Sequence, residues 1–275
     1  MGKIEDAIGK VQRERELRSD TARRAESAAA AEVVQEPAVA RKLWDYGGRK
    51  IVLDRRRLID TGLLDPDYMR KHLTAEYRQL KRAVLNRAAD VHPRGNLVMI
   101  CSAVSGDGAS FLALNLAMSL AAEYAQSVVL VDANQRSPAL SENIAAPDDP
   151  GLTELLTDER AESNSLICPT DVPGLAFLPL GRSPDTLAAR VSGECAAHVF
   201  DQLASADPAR LILFDAEAVL AGGCSQELAS RLGQSLLVVG SGTTPRSAVV
   251  DALRLIGKVR PVGIVLNRVV PERQL

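Results

Sequence analysis

Aromatic side chains are scarce in this 275-residue chain, at 3% of the residues. Hydrophobic residues still reach 46%, so any core is built mainly from Ala, Leu and Val. The four cysteines, Cys101, Cys168, Cys195 and Cys224, lie far apart and form no CxxC pair, which argues against a zinc knuckle or a dithiol redox motif. Cys101 sits in an apolar run and reads as a small buried hydrophobe; reduced thiols fit the cytosol. His72, His92 and His198 have no metal-ligand spacing, and no Ser-His-Asp arrangement can be argued from spacing. No stretch of ~18 apolar residues is present, so no transmembrane helix is expected. The first residues are too charged for a signal core. Asp6 stands where a myristoylation signal beginning at Gly2 places Ser or Thr. A formal net charge of -2 argues neither for nor against a nucleic-acid partner, and none is expected.

The charge that is there is uneven. The chain is rich in Arg and Lys up to about Asp90 and acidic beyond it. A solvated surface is the plain reading of the basic arm; an acidic partner or anionic lipid is the sharper one. Three regions follow. Residues 1–40 hold a short amphipathic helix carried by Ile4, Ala7, Ile8 and Val11, then an Ala/Glu-rich linker around AESAAAAEVVQEPAVA. The helix either docks on protein or lies on a membrane surface. Residues 41–92 form a basic segment with a strand-like run, Lys50–Leu53, the patch Arg55-Arg56-Arg57, a turn-like LLDPD, and a helix from Tyr68 to about Ala89. That helix places Leu73, Tyr77, Leu80 and Val84 on one face and Arg78, Lys81 and Arg82 on others.

From residue 93 to 275 aliphatic runs alternate with helices. The runs are Asn96–Ser102, Ser127–Asp132, Gly174–Leu180, Arg210–Asp215, Ser235–Gly240 and Val262–Leu266. Helices are expected over Ala109–Glu123, Ser225–Leu232 and Pro245–Lys258. Near-continuous apolar strands separated by helices predict an α/β fold, a parallel sheet with helices on both faces, preceded by an N-terminal helical extension. Ligands in such sheets bind beyond the carboxyl ends of the strands.

The first strand runs into Ser102-Ala103-Val104-Ser105-Gly106-Asp107-Gly108-Ala109-Ser110 and then a helix. Gly106 and Gly108 let backbone N–H groups turn inward, and the helix N-terminus adds partial positive charge, so the loop suits an anion. A phosphate loop of the GxxxxGK(S/T) form has Lys where this chain has Ala109 and Gly where it has Ala103; Ser110 keeps the cation-binding hydroxyl. Ser105 to Phe111 are the expected nucleotide contacts: Ser105, Gly106, Asp107, Gly108, Ala109, Ser110 and Phe111. The plain alternative is a glycine turn between strand and helix.

From about Leu73 onward the chain resembles the bacterial tyrosine autokinases of exopolysaccharide and capsule synthesis, P-loop relatives of MinD and ParA. SAVSGDGAS mirrors the family's TSxxPGEGKS, with Ser105 for Pro and Ala109 for Lys. VVLVDANQRSP matches LLIDxDxRxP at Asp132, Arg136 and Pro138, with Asn134 for the second Asp. LILFDAEA matches an apolar run followed by DxPP at Asp215, without the prolines. GIVLN ends on Asn267, and Thr243 and Thr244 mirror a threonine-containing helix start. LTAEYRQLKRAVL and IEDAIGKV resemble helices of the exosortase-associated subgroup.

The resemblance implies ATP or ADP with Mg²⁺, the cation held by Ser110, Asp132 and Asp215, the latter two being the catalytic acids, with Asn267 at the base. Asp132 and Asp215 are otherwise strand-end caps. It implies a homo-oligomer touching through Glu76, Arg78 and Lys81, and a partnership with a membrane-embedded polysaccharide chain-length protein, in the cytoplasm at the inner face of the membrane. Family members phosphorylate a C-terminal tyrosine cluster. The tyrosines here are Tyr46, Tyr68, Tyr77 and Tyr124, so that substrate is missing from this sequence. Ala109, Asn134 and the missing tyrosines point to a degenerate kinase acting as a regulator. The rivals are an active kinase taking a cation from Lys258 or a partner, and a MinD/ParA-like ATPase, against which Val104 and Ser105 stand where that class needs an early lysine.

Overall fold

The computed structural model describes residues 46–64, 75–123, 127–145, 149–158, 161–257 and 260–269. The chain divides into two units, Met1–Arg41 and Lys42–Leu275, and every described residue belongs to the second. The expected N-terminal helix and linker over 1–40, together with Tyr68, Tyr124 and Lys258, lie outside the described residues.

In chain order the elements are α1 (Arg55–Asp60), α2 (Ala75–Asp90), β1 (Leu97–Ser102), α3 (Ala109–Glu123), β2 (Val128–Ala133), α4 (Ala139–Ile144), α5 (Leu152–Leu155), α6 (Ser163–Leu166), β3 (Cys168–Pro169), β4 (Leu175–Leu178), a 3₁₀ turn at Pro184–Thr186, α7 (Leu187–Ser192), α8 (Glu194–Ser205), β5 (Leu211–Ala216), α9 (Cys224–Arg231), β6 (Gln234–Gly240), α10 (Arg246–Ile256) and β7 (Val262–Asn267). The sheet order is β3-β4-β2-β5-β1-β6-β7. The six expected strands all form, and each neighbouring pair among them is parallel. A seventh, two-residue strand, β3, pairs antiparallel at the edge; it is too short to leave a periodic signal.

Every residue of β1, β2, β5 and β6 is buried, as continuous aliphatic runs require when helices cover both faces. The two-residue pleat then sorts the side chains. Leu97, Met99 and Cys101 of β1 enter one apolar cluster with Phe200, Leu228 and Ile256; Val98 and Ile100 enter the other with Leu58, Val84 and Leu116. In α3, Ala113, Ala117 and Ala121 recur every four residues and are fully buried, so the helix lies close on the strands it touches.

Two local expectations are corrected. Lys50–Leu53 contributes only one bridge, Ile51 with Thr170, because the chain turns at once into α1, capped by the Asp54 carboxylate on the Arg57 N–H. Lys81 lies on the buried face of α2 beside Val84, not on a solvent face, and burial lowers its pKa with help from Arg78. The helices between β2 and β5 were not expected from sequence beyond a general alternation; most are four to six residues long, too short for a 3.6-residue period to show.

Candidate functional site

The β1–α3 loop lies at the carboxyl edge of the sheet, where the strand order reverses. Gly106 and Gly108 adopt φ of 92° and 95°, a left-handed backbone that only glycine enters without strain. Ser105, Gly106, Gly108, Ala109, Ser110 and Phe111 line a cavity of about 260 Å³. That is smaller than the ~300–1,000 Å³ of sites that enclose a whole small molecule. The Ala109 methyl forms part of the wall.

Asp107 is placed differently from the other loop residues. Its side chain is buried and turned away from the cavity, accepting the Thr244 hydroxyl at 2.5 Å. That hydroxyl also receives the Gly240 N–H at 3.2 Å. Asn267 Nδ2 donates to the Asp107 carbonyl at 2.8 Å, and its Oδ1 accepts the Arg268 N–H. A Cβ on Gly108 would strike Asn267 Nδ2. The loop is thus seated by the Asn267 Nδ2 at the end of β7 and by Thr244 just after β6.

Asp132 and Asp215 are direct register partners on β2 and β5, and both are fully buried. Asp132 Oδ1 accepts the Asn134 N–H at 3.0 Å and Oδ2 accepts the Ser141 N–H at 2.8 Å. Burial pushes its pKa up to about 6 against these bonds. Asp215 has no well-formed hydrogen bond on either oxygen. Burial, then the Asp132 charge, hold its pKa well above the ordinary carboxylate range, while the Ser110 hydroxyl favours the ionised form. An orphaned, buried carboxylate beside a loop hydroxyl fits a hydrated divalent cation, which would relieve the desolvation. Asp132, by contrast, is occupied as a turn cap.

Three further groups meet the same cavity. Arg136, from the β2–α4 loop, points its Nε at Glu217 Oε2 at 3.4 Å. Glu217 lies two residues beyond Asp215, is 1% exposed, and accepts the Cys224 N–H of α9 at 3.2 Å. Burial raises its pKa against Cys224, Arg136 and Ser225. Gly62 and Leu63 of the segment after α1 complete the wall, and the Leu63 carbonyl is held by Asn115 of α3 at 2.9 Å. Sequence reasoning passed over Glu217 because it sits where the resemblance places proline; the signal was a second acid just past a strand-end acid.

Among the described residues no helix is long and apolar enough to cross a membrane. No protein-family model matches the chain. The tyrosine-protein kinase YwqD of Bacillus subtilis (strain 168) is 27% identical over 201 residues, covering 72% of this chain and 82% of that protein. The tyrosine-protein kinase CpsD of Streptococcus agalactiae serotype III (strain NEM316) is 28% identical over 183 residues, covering 63% and 74%. The tyrosine-protein kinase ptk of Acinetobacter johnsonii is 32% identical over 110 residues, but the match spans 40% of this chain and only 15% of that protein. In structure, the BceF tyrosine kinase domain superposes with a TM-score of 0.61 at 23% identity, covering 81% of this chain and 91% of that one. The kinase domain of Escherichia coli tyrosine kinase ETK gives 0.57 at 23%, covering 66% and 70%. Cobyrinic acid a,c-diamide synthase from Mycobacterium smegmatis, solved with a bound ATP analog and magnesium, gives 0.50 at 15%, covering 62% and 73%. These likenesses establish a P-loop fold of the ParA/MinD type.

Proposed function

We propose, from the premise that this chain is a relative of the bacterial tyrosine-protein kinases, that it is a tyrosine-kinase-like P-loop protein with impaired phosphoryl transfer. It binds ATP or ADP with Mg²⁺ weakly and acts as a regulator or partner in exopolysaccharide synthesis or export. It works in the cytoplasm at the inner membrane face, beside a membrane-embedded chain-length protein and as a homo-oligomer. The observation that carries this reading is Ala109 in the wall of the phosphate cavity. A lysine there offsets charge that builds on the transferred phosphoryl group. Its loss removes several kcal/mol of transition-state stabilisation, on the order of a thousandfold in rate.

The remaining residues divide the work. The backbone of Gly106 to Ser110 takes the phosphate oxygens at the α3 N-terminus. Ser110 and Asp215 hold the cation or its water shell. When bound, Mg²⁺ neutralises the phosphate oxygens and orients them. Asp132 keeps the turn after β2 in shape, and Thr244 and Asn267 keep the loop seated. Titration of the protein with ADP and millimolar Mg²⁺ in a calorimeter is expected to give weak, saturable heat; no heat with either ADP or ATP removes the nucleotide reading. Ala109→Lys is expected to raise ATP turnover, and no gain would mean that the site is compromised elsewhere as well.

A second reading, an active kinase acting on another protein's tyrosines, is favoured by one observation: the Arg136 guanidinium lines the cavity that lacks a lysine. Radiolabel transfer from ATP, abolished in Asp215→Ala, supports it; silence in the presence of the membrane partner excludes it.

A further inference from the structure

The phosphate cavity has Ala109 where its motif carries a cation and Asn134 where it carries a carboxylate, yet both charges are present in the same lining. Of the described residues lining the cavity, Arg136 is the one base and Glu217 the one acid. They face each other at 3.4 Å, and their environments differ sharply: the Arg136 side chain is 60% exposed and that of Glu217 is 1% exposed. Glu217 Oε1 is committed to the α9 N-terminus through Cys224. Glu217 Oε2 is buried and has no hydrogen-bond donor; its charged neighbour is Arg136. The chain closes tightly over the pair at Gly222, where a Cβ would strike Glu217 Oε1 and stand 3.2 Å from Arg136 Nε. Asp215, with both oxygens lacking a well-formed bond, lies two residues before Glu217.

This geometry sets a conflict for any anion entering the loop. A phosphate draws on the Arg136 guanidinium in the wall, which is exposed enough to swing to it. Removing one partner of a buried ion pair strands the other charge in low dielectric, which is strongly unfavourable. A divalent cation resolves the conflict by taking over Glu217 as Arg136 leaves. We propose that Arg136 and Glu217 form an exchange pair: a polyphosphate takes Arg136, a divalent cation takes Glu217, and each ligand's arrival favours the other. Arg136 thereby replaces the cation lost at Ala109, and Glu217 the carboxylate lost at Asn134. The inference deepens the nucleotide reading above and rests on the same cavity, but it concerns the phosphate chain and not the base.

The test uses the full chain with two probes, ADP and inorganic pyrophosphate, each titrated in EDTA and in Mg²⁺. Glu217→Gln keeps an oxygen for the Cys224 N–H, and Arg136→Gln alters an exposed side chain, so both variants should keep the fold, checked by thermal melts. In Glu217→Gln the pair is released. Binding in EDTA is expected to tighten about tenfold, and the gain on adding Mg²⁺ to shrink by a similar factor, a coupling of ordinary size. In Arg136→Gln binding of both probes is expected to weaken about tenfold in Mg²⁺. If both variants bind ADP and pyrophosphate as the parent does, with the same Mg²⁺ dependence, the pair is only a brace for α9 and the proposal is overturned, while the nucleotide reading survives. If pyrophosphate follows the expected pattern and ADP does not bind, the exchange pair stands and the nucleotide reading falls. Should Glu217→Gln fail to fold, Arg136→Gln alone decides: undiminished binding overturns the proposal.

Discussion

Asp132 and Asp215 are register partners on adjacent strands, equally buried and of one chemistry, yet they are spent differently. Asp132 meets two backbone N–H groups that close the turn into α4. Asp215 meets no well-formed donor. A buried carboxylate with a backbone donor on each oxygen is part of the architecture. One left bare in the interior is a cost the fold carries. Two acids that look alike at strand ends are thus told apart by their donors and not by their position.

Substitutions can break this contrast. The largest effect is expected for Asp132→Ala, which orphans the Asn134 and Ser141 N–H groups and should lower stability by about 3 kcal/mol in urea unfolding, since each unmet buried group costs ~1–3 kcal/mol. A loss no larger than that of an average surface change would show that Asp132 is not a structural cap. Asp215→Asn is expected to move the other way. Without divalent cation it should stabilise the protein by ~2 kcal/mol, because it removes an uncompensated buried charge. It should also abolish stabilisation by Mg²⁺ with ADP in a thermal melt. Destabilisation would mean that Asp215 carries bonds in the folded state.

The pH dependence sharpens the same contrast. Both acids have raised pKa values in the fold, Asp132 to about 6 and Asp215 further upward in direction. The folded form therefore holds protons that the unfolded chain releases. The associated stability is fully present below the unfolded carboxylate pKa near ~4 and is lost as pH rises through about 6 for Asp132, and above that for Asp215. Metal-free unfolding measured from pH 4 to 8 should show this fall, and Asp215→Asn should flatten its upper part. The smallest effect is expected for Thr244→Val, which removes the Asp107 and Gly240 contacts at a cost of about 1 kcal/mol. Amide exchange in the 105–109 loop should speed up while β1 stays protected.

The sheet was legible in sequence because aliphatic runs long enough to fill a buried parallel strand are also long enough to recognise, and α3 is found over the expected span, Ala109–Glu123. The tight turn between β1 and α3 was legible too: Gly106 and Gly108 mark a backbone of positive φ, which the structure has. What escaped was set by side-chain direction. No periodicity turns Asp107 inward, or ties Asn267 to a carbonyl far back in the chain. Glu217 was hidden because its importance lies in facing Arg136 across two loops, a relation that strand spacing does not encode.

The Asn267–Asp107 bond joins residues 160 positions apart. Since Thr244, its companion, also comes late, the glycine loop near the middle of the chain has no seat until β6 and β7 are in place. During synthesis the seating of this loop is thus completed only with the last strand of its sheet. A chain halted before residue 262 would have its strands β1, β2, β4, β5 and β6 and the Thr244 contact, but not the Asn267 bond that holds the Asp107 carbonyl.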